Sequence, residues 1–158
     1  MGILTWLQGT ALAQWVSGSG SLLGYPLILF LHTFGLSILV GPSTVIDLRL
    51  LGMARETSLV PMGKLFRLMW AGFIVNAITG TLLFIADAEA KGHQWIFGLK
   101  LALVAVGLIL LVFIRPYVDG KKALVENEVS TQGKRLAVLS LIVWTGVIAA
   151  GRLMAYVK

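Results

Sequence analysis

The stretch YPLILFLHTFGLSILVGPSTVI, Tyr25 to Ile46, contains no Asp, Glu, Lys or Arg. At a helical rise of roughly 1.5 Å per residue, about 20 such residues cross the hydrocarbon core of a bilayer. The stretch therefore reads as a membrane span. Pro26 suits its first turn, where a missing N–H costs nothing. Working outward, three more apolar runs are long enough to span, each with one basic residue. One covers about Phe66 to Ala86, with an extension from near Pro61 into the headgroups. The next covers about Trp95 to Ile114 and is stopped by Pro116 just beyond its end. The last covers about Leu136 to Tyr156. The connections between them are too short to hold a second domain, so residues 1–158 form a single membrane domain.

Composition agrees with this reading. The chain is 58% hydrophobic and 13% charged, whereas soluble chains carry about 25% charged residues. That much apolar surface cannot all be hidden inside a domain of this size, so lipid must cover much of it. The predicted fold is all-α, an integral membrane four-helix bundle. The absence of cysteine excludes disulfides, thiolate metal sites, iron–sulfur clusters and covalent haem attachment. The net charge of +6 does not signal a nucleic-acid partner, because the cations sit between the spans.

Those cations predict an orientation, since loops rich in Lys and Arg stay cytoplasmic. Arg49, Arg55, Lys64 and Arg67 surround the connection between spans one and two. Arg115, Lys121, Lys122, Lys134 and Arg135 surround that between spans three and four. The remaining link carries Asp87, Glu89 and Lys91, with no basic excess. Both termini are then expected outside, in a bacterial inner membrane, with Lys121 and Lys122 meeting anionic lipid.

Residues 1–20 are uncharged. Leu4, Leu7, Ala11 and Trp15 recur at helical spacing, with Gln8, Thr10, Gln14 and Ser17 elsewhere around the wheel. Trp6 and Trp15 suit a membrane interface, and the Ser-Gly run from Ser17 to Ser21 reads as a hinge. An N-terminal interfacial amphipathic helix is expected. A frayed terminus and a cleaved signal are the alternatives, the latter lacking a basic start.

Polar groups within a bilayer are costly and mark candidate sites. His32 lies in span one, Lys100 in span three and Arg152 in span four, while Asp87 ends span two. All four fall in the same half of the bundle. Together they suit a pocket for an anionic ligand: a lipid phosphate, a carboxylate or the propionates of a haem. The packing alternative pairs Asp87 with Lys100 or Arg152 and bonds His32 to a neighbouring helix. Haem b would use His32, with His93 as a second ligand if tilt closes the depth between them, or with Met69 or Met154. Two histidines without cysteine or clustered carboxylates make a poor dedicated metal site.

Other small and polar residues read as packing. Gly72, Asn76 and Gly80 share one face of span two; Gly35 is a further small residue of span one, where Thr33, Ser37 and Gly41 share a face. Small residues let helices approach closely, and Asn76 can bond across the interface. Asp47 is expected to pair with Arg49 or Arg67 where span one closes. No phosphate loop, dinucleotide fingerprint or nucleophile elbow is present, and no catalytic constellation emerges.

At these residues a resemblance enters. Leu31-His32-Thr33-Phe34-Gly35, Val40-Gly41 and Asp47-Leu48-Arg49-Leu50-Leu51-Gly52 resemble a group of small bacterial inner-membrane proteins of unknown function. Gly80-Thr81-Leu82-Leu83-Phe84, Lys100 and Gly151-Arg152 are similar to that group as well. The resemblance covers the four spans and implies the four-helix architecture, without an activity. More distantly, the first-span histidine is similar to that of copper-resistance D-type membrane proteins and haem-bearing four-helix families. Those supply further histidines on other spans, which this chain lacks. Two functions are therefore expected to compete. One is a non-catalytic accessory subunit of a larger membrane complex, or a homo-oligomer. The other is a small b-type cytochrome using His32.

Overall fold

Within a bilayer, backbone N–H and C=O groups find no water, so a spanning segment must satisfy them internally. Each of the four apolar runs accordingly folds as one long helix. The computed structural model describes residues 2–53, 60–119 and 130–156. Among these, α1 (Ile3–Gln8) and α2 (Ala11–Gly18) precede the first long helix, α3 (Tyr25–Leu50). A 3-10 turn (Val60–Lys64) leads into α4 (Leu65–Ala86), and a short α5 (Ala88–His93) leads into α6 (Trp95–Val118). The last helix is α7 (Thr131–Leu153). The described residues contain no strand, and the protein is an all-α bundle. Four of its helices are long and apolar enough to cross a membrane. Phe34, Ile78, Val112, Phe113 and Ile142 are exposed on their outer faces, as in a multi-pass membrane protein. Arg55, Lys121 and Lys122 lie outside the described residues.

Several helix ends differ from the sequence reading. α3 continues a turn past Ile46, because Ile46, Asp47 and Leu50 are all buried. It then stops at Gly52, whose φ of 97° is open to glycine at little cost. Gly52 N–H donates to Arg49 O and Met53 N–H to Leu48 O, which satisfies two of the last carbonyls. α6 runs through Pro116 rather than stopping before it. The proline removes one backbone bond, but Tyr117 and Val118 beyond it are buried in the core. Arg115 Nε also donates to Asp119 Oδ2 at 2.9 Å, holding the last turn closed. α7 begins earlier than expected, where Ser130 Oγ accepts from Gly133 N at 3.2 Å, and it ends at Leu153 rather than Tyr156.

The N-terminal segment is two helices, not one. Thr10 breaks it, donating to Leu7 O at 2.8 Å and accepting from Ala13 N at 3.3 Å. The pair leans on the end of the bundle. Gln8 Oε1 accepts from Glu89 N at 3.0 Å, and Val16 is buried with Ile28, Leu83 and Ala86. Trp6, Leu12 and Trp15 stay exposed.

α3 packs on α4 and on α7, and α7 packs on α6. α4 and α6 meet through stacked Phe84 and Phe97 rings 4.9 Å apart. Toward their other ends, the Arg115 guanidinium lies 5.9 Å from the centre of the Phe66 ring. The main core lies in the half away from α5 and includes Leu39, Met69, Leu110, Ile114, Trp144 and Val147. Trp144 fits there because Gly107 opposite it has no side chain; a Cβ at Gly107 would come within 2.9 Å of the indole.

Candidate functional site

The helix seam between α3 and α4 sets the first polar cluster. Gly35 and Gly72 face each other so closely that a Cβ on either would stand 2.8–2.9 Å from the other's carbonyl oxygen. This approach brings side chains of one helix to the backbone of the other. Asn76 Nδ2 donates to His32 O at 2.8 Å. His32 Nδ1 lies 3.1 Å from both Asn76 O and Thr79 Oγ1. A carbonyl can only accept, so Nδ1 carries the proton. The Thr79 hydroxyl donates to Val75 O at 2.7 Å and so is free to accept from the ring. The imidazole is held in place, its Cε1 seated against Gly80. Nε2 has no bonded partner among the described residues.

Lys100 and Lys91 lie near enough to His32 for their charge to act on its ring. Lys100 rests against Gly151 of α7, its Nζ 3.6 Å from where a Cβ there would be. It has no bonded carboxylate among the described residues. Asp87, expected beside Lys100 or Arg152, instead stands 3.9 Å from Lys91. Asp87 caps α4 and Lys91 follows one turn later on α5, so this pairing is the shortest reach. Lys91 also donates to Leu83 O at 3.2 Å. Arg152 holds its guanidinium 5.9 Å from the Tyr156 ring, just beyond the end of α7. The structure thus sets Lys91 and Lys100 beside His32, and Asp87 joins them through Lys91.

The haem-ligand candidates are dispersed. His93 ends α5 and is exposed, whereas His32 is part-buried between α3 and α4. Met69 is buried in the main core, two turns along α4 from Asn76, and Met154 caps α7. No group of three or more His, Cys, Asp or Glu residues that could hold a metal ion occurs among the described residues.

One expected packing stripe faces outward. Thr33, Ser37 and Gly41 are exposed, and a Cβ on Gly41 would meet nothing. The hydroxyls of Thr33 and Ser37 bond back to carbonyls of their own helix. The inward face of α3 is instead Gly35, Leu39, Ser43, Ile46, Asp47 and Leu50. Asp47 therefore does not reach Arg49 or Arg67 in an ion pair. Its carboxylate is fully buried, and neither oxygen has a hydrogen-bond partner. The hydroxyls of Ser43, one turn back, and Ser140 on α7 stand near enough to act on it as weak donors, with no hydrogen bond of ordinary length to it or to any other group among the described residues. The sequence carried this signal in the spacing of Gly35, Leu39, Ser43 and Asp47, each four residues from the last.

Neither a protein-family model, nor a curated protein, nor a solved structure matches this chain.

Proposed function

We propose that the protein is a non-catalytic multi-pass subunit of a bacterial inner-membrane complex, and that it binds an anionic amphiphile at the α5 end. The supporting observation is Lys100. It sits within an apolar helix, close to Lys91 and His32, with the nearby carboxylate of Asp87 already engaged by Lys91. A cation so placed is best satisfied by an anion from outside the chain. The described cations Arg49, Lys64, Arg67, Arg115, Lys134 and Arg135 belong to the other end, which by the basic-loop rule is cytoplasmic. The cluster then opens toward the outer leaflet, where α1 and α2 lie over α4 and α5 and offer exposed Trp6 and Trp15 to lipid or to a partner.

A second reading is favoured by one feature of His32. Because Nδ1 donates to Asn76 O, a neutral ring presents the Nε2 lone pair, the form that ligates haem iron. Lys91 and Lys100 would then hold propionates.

Protein purified in mild detergent tests both. Native mass spectrometry should find phosphatidylglycerol or another anionic phospholipid retained by the wild type and at least several-fold less by Lys100→Met. Equal retention by the two would overturn the anionic site. A Soret band in the wild type, lost in His32→Ala, would establish the cytochrome in its place.

A further inference from the structure

We propose that Asp47, Ser43 and Ser140 form a binding site for one dehydrated sodium ion between α3 and α7, away from the α5 cluster. The inference goes beyond the lipid site and does not depend on it. It rests on four buried oxygens from two helices: both carboxylate oxygens of Asp47, and Oγ of Ser43 and of Ser140. All three residues are at most 1% exposed. Buried polar groups in native proteins are almost always well bonded, so a buried carboxylate met only by two loosely placed hydroxyls calls for an occupant. Asp47 has no ion-pair partner among the described residues to fill that role.

The chemistry of the set selects the occupant. Carboxylate and hydroxyl oxygens are hard donors, which suit alkali and alkaline-earth ions rather than transition metals. The set carries one negative charge. A monovalent ion leaves it neutral, whereas a divalent ion would strand a full positive charge among apolar side chains. The three residues are themselves closed to water, and Leu39, Ile46, Val143 and Trp144 of the same two helices belong to the main core. A small ion stripped of water fits such a place better than a hydrated one. The Trp144 N–H, also buried and unpartnered one turn beyond Ser140, is a donor and cannot ligate a cation. It is outside the set.

The placement gives the ion a structural consequence. Ser43 and Asp47 lie on α3 and Ser140 on α7, so a bound ion ties the helices together at the junction of the two helix pairs α3–α4 and α6–α7. Pro42 precedes Ser43 and interrupts the backbone ladder of α3 at this level, which leaves the helix easier to adjust around an ion.

The purified full-length protein is unfolded by heat in matched solutions of sodium, potassium or choline chloride, with intrinsic tryptophan fluorescence as the readout. The melting temperature should rise with sodium in the wild type, and much less with potassium or choline. Ser140→Ala should weaken the apparent sodium affinity by about tenfold, the scale of one lost contact to a charged group. Asp47→Asn should abolish the response. If Asp47→Asn does not fold, Ser43→Ala serves in its place and should weaken the response as Ser140→Ala does. A wild-type melting temperature indifferent to sodium, a response equal to that with potassium, or an undiminished response in these variants would each overturn the site.

Discussion

At the α5 end of the bundle, polar side chains are shared across a helix seam: Asn76 and His32 bond reciprocally to each other's backbone, and Asp87 has Lys91 nearby. At the far end Asp47, Ser43 and Ser140 are more deeply buried yet make no hydrogen bond of ordinary length among the described residues. The ends also differ in sign, an unpaired cation on α6 at one and an unpaired carboxylate on α3 at the other. In the first case close-packed glycines bring backbone carbonyls within reach, so Asn76 Nδ2 and His32 Nδ1 are satisfied within the chain. In the second, where α3 packs on α7, the groups beside the carboxylate are the hydroxyls of Ser43 and Ser140. Burial of a polar residue in this bundle is therefore not a measure of how well it is partnered. The backbone approach decides that.

Three substitutions would break or sharpen this contrast. The largest effect is expected from Trp144→Ala, which empties the space above Gly107 at the far end. It should cost about 3 kcal/mol of unfolding free energy while leaving phospholipid retention at Lys100 unchanged. Denaturant unfolding in detergent, paired with lipid analysis, reads both; a loss of lipid would mean that the two ends are coupled. Next comes Asn76→Leu, which removes the side-chain bond to His32 O. Helix–helix bonds in membranes are worth little individually, and a loss of about 1 kcal/mol is expected. A much smaller loss would show that the glycine contact alone holds α3 to α4. The smallest effect belongs to Asp87→Asn. Its carboxylate is about half exposed and 3.9 Å from Lys91, so the expected change is below about 0.5 kcal/mol. Marked destabilisation would reveal that Asp87 also neutralises Lys100.

Of the candidate site, the residue types were legible and the partners were not. His32, Lys100 and Asp87 stand out in sequence because polar groups are rare in apolar runs. Lys91 counts in the sequence only toward the charge of its link, yet that link folds as α5 and turns the ammonium back to Leu83 and Asp87. Asp47 is expected to pair with Arg49 because the two are close in sequence, although residues two apart in a helix point about 200° from each other.

The four spans were fixed by composition, since a long apolar run with at most one charge has few stable fates other than a lipid-covered helix. The direction in which each helix faces was a matter for the tertiary structure. In water, a helix declares its inner side by an apolar stripe against a polar one. Here lipid covers the outside, both sides are apolar, and the stripe vanishes. Thr33, Ser37 and Gly41 could then lie outward while Gly35, Ser43 and Asp47 turned in. The choice was made by which small residues let α4 and α7 come close, a property of pairs of helices that neither sequence segment carries alone.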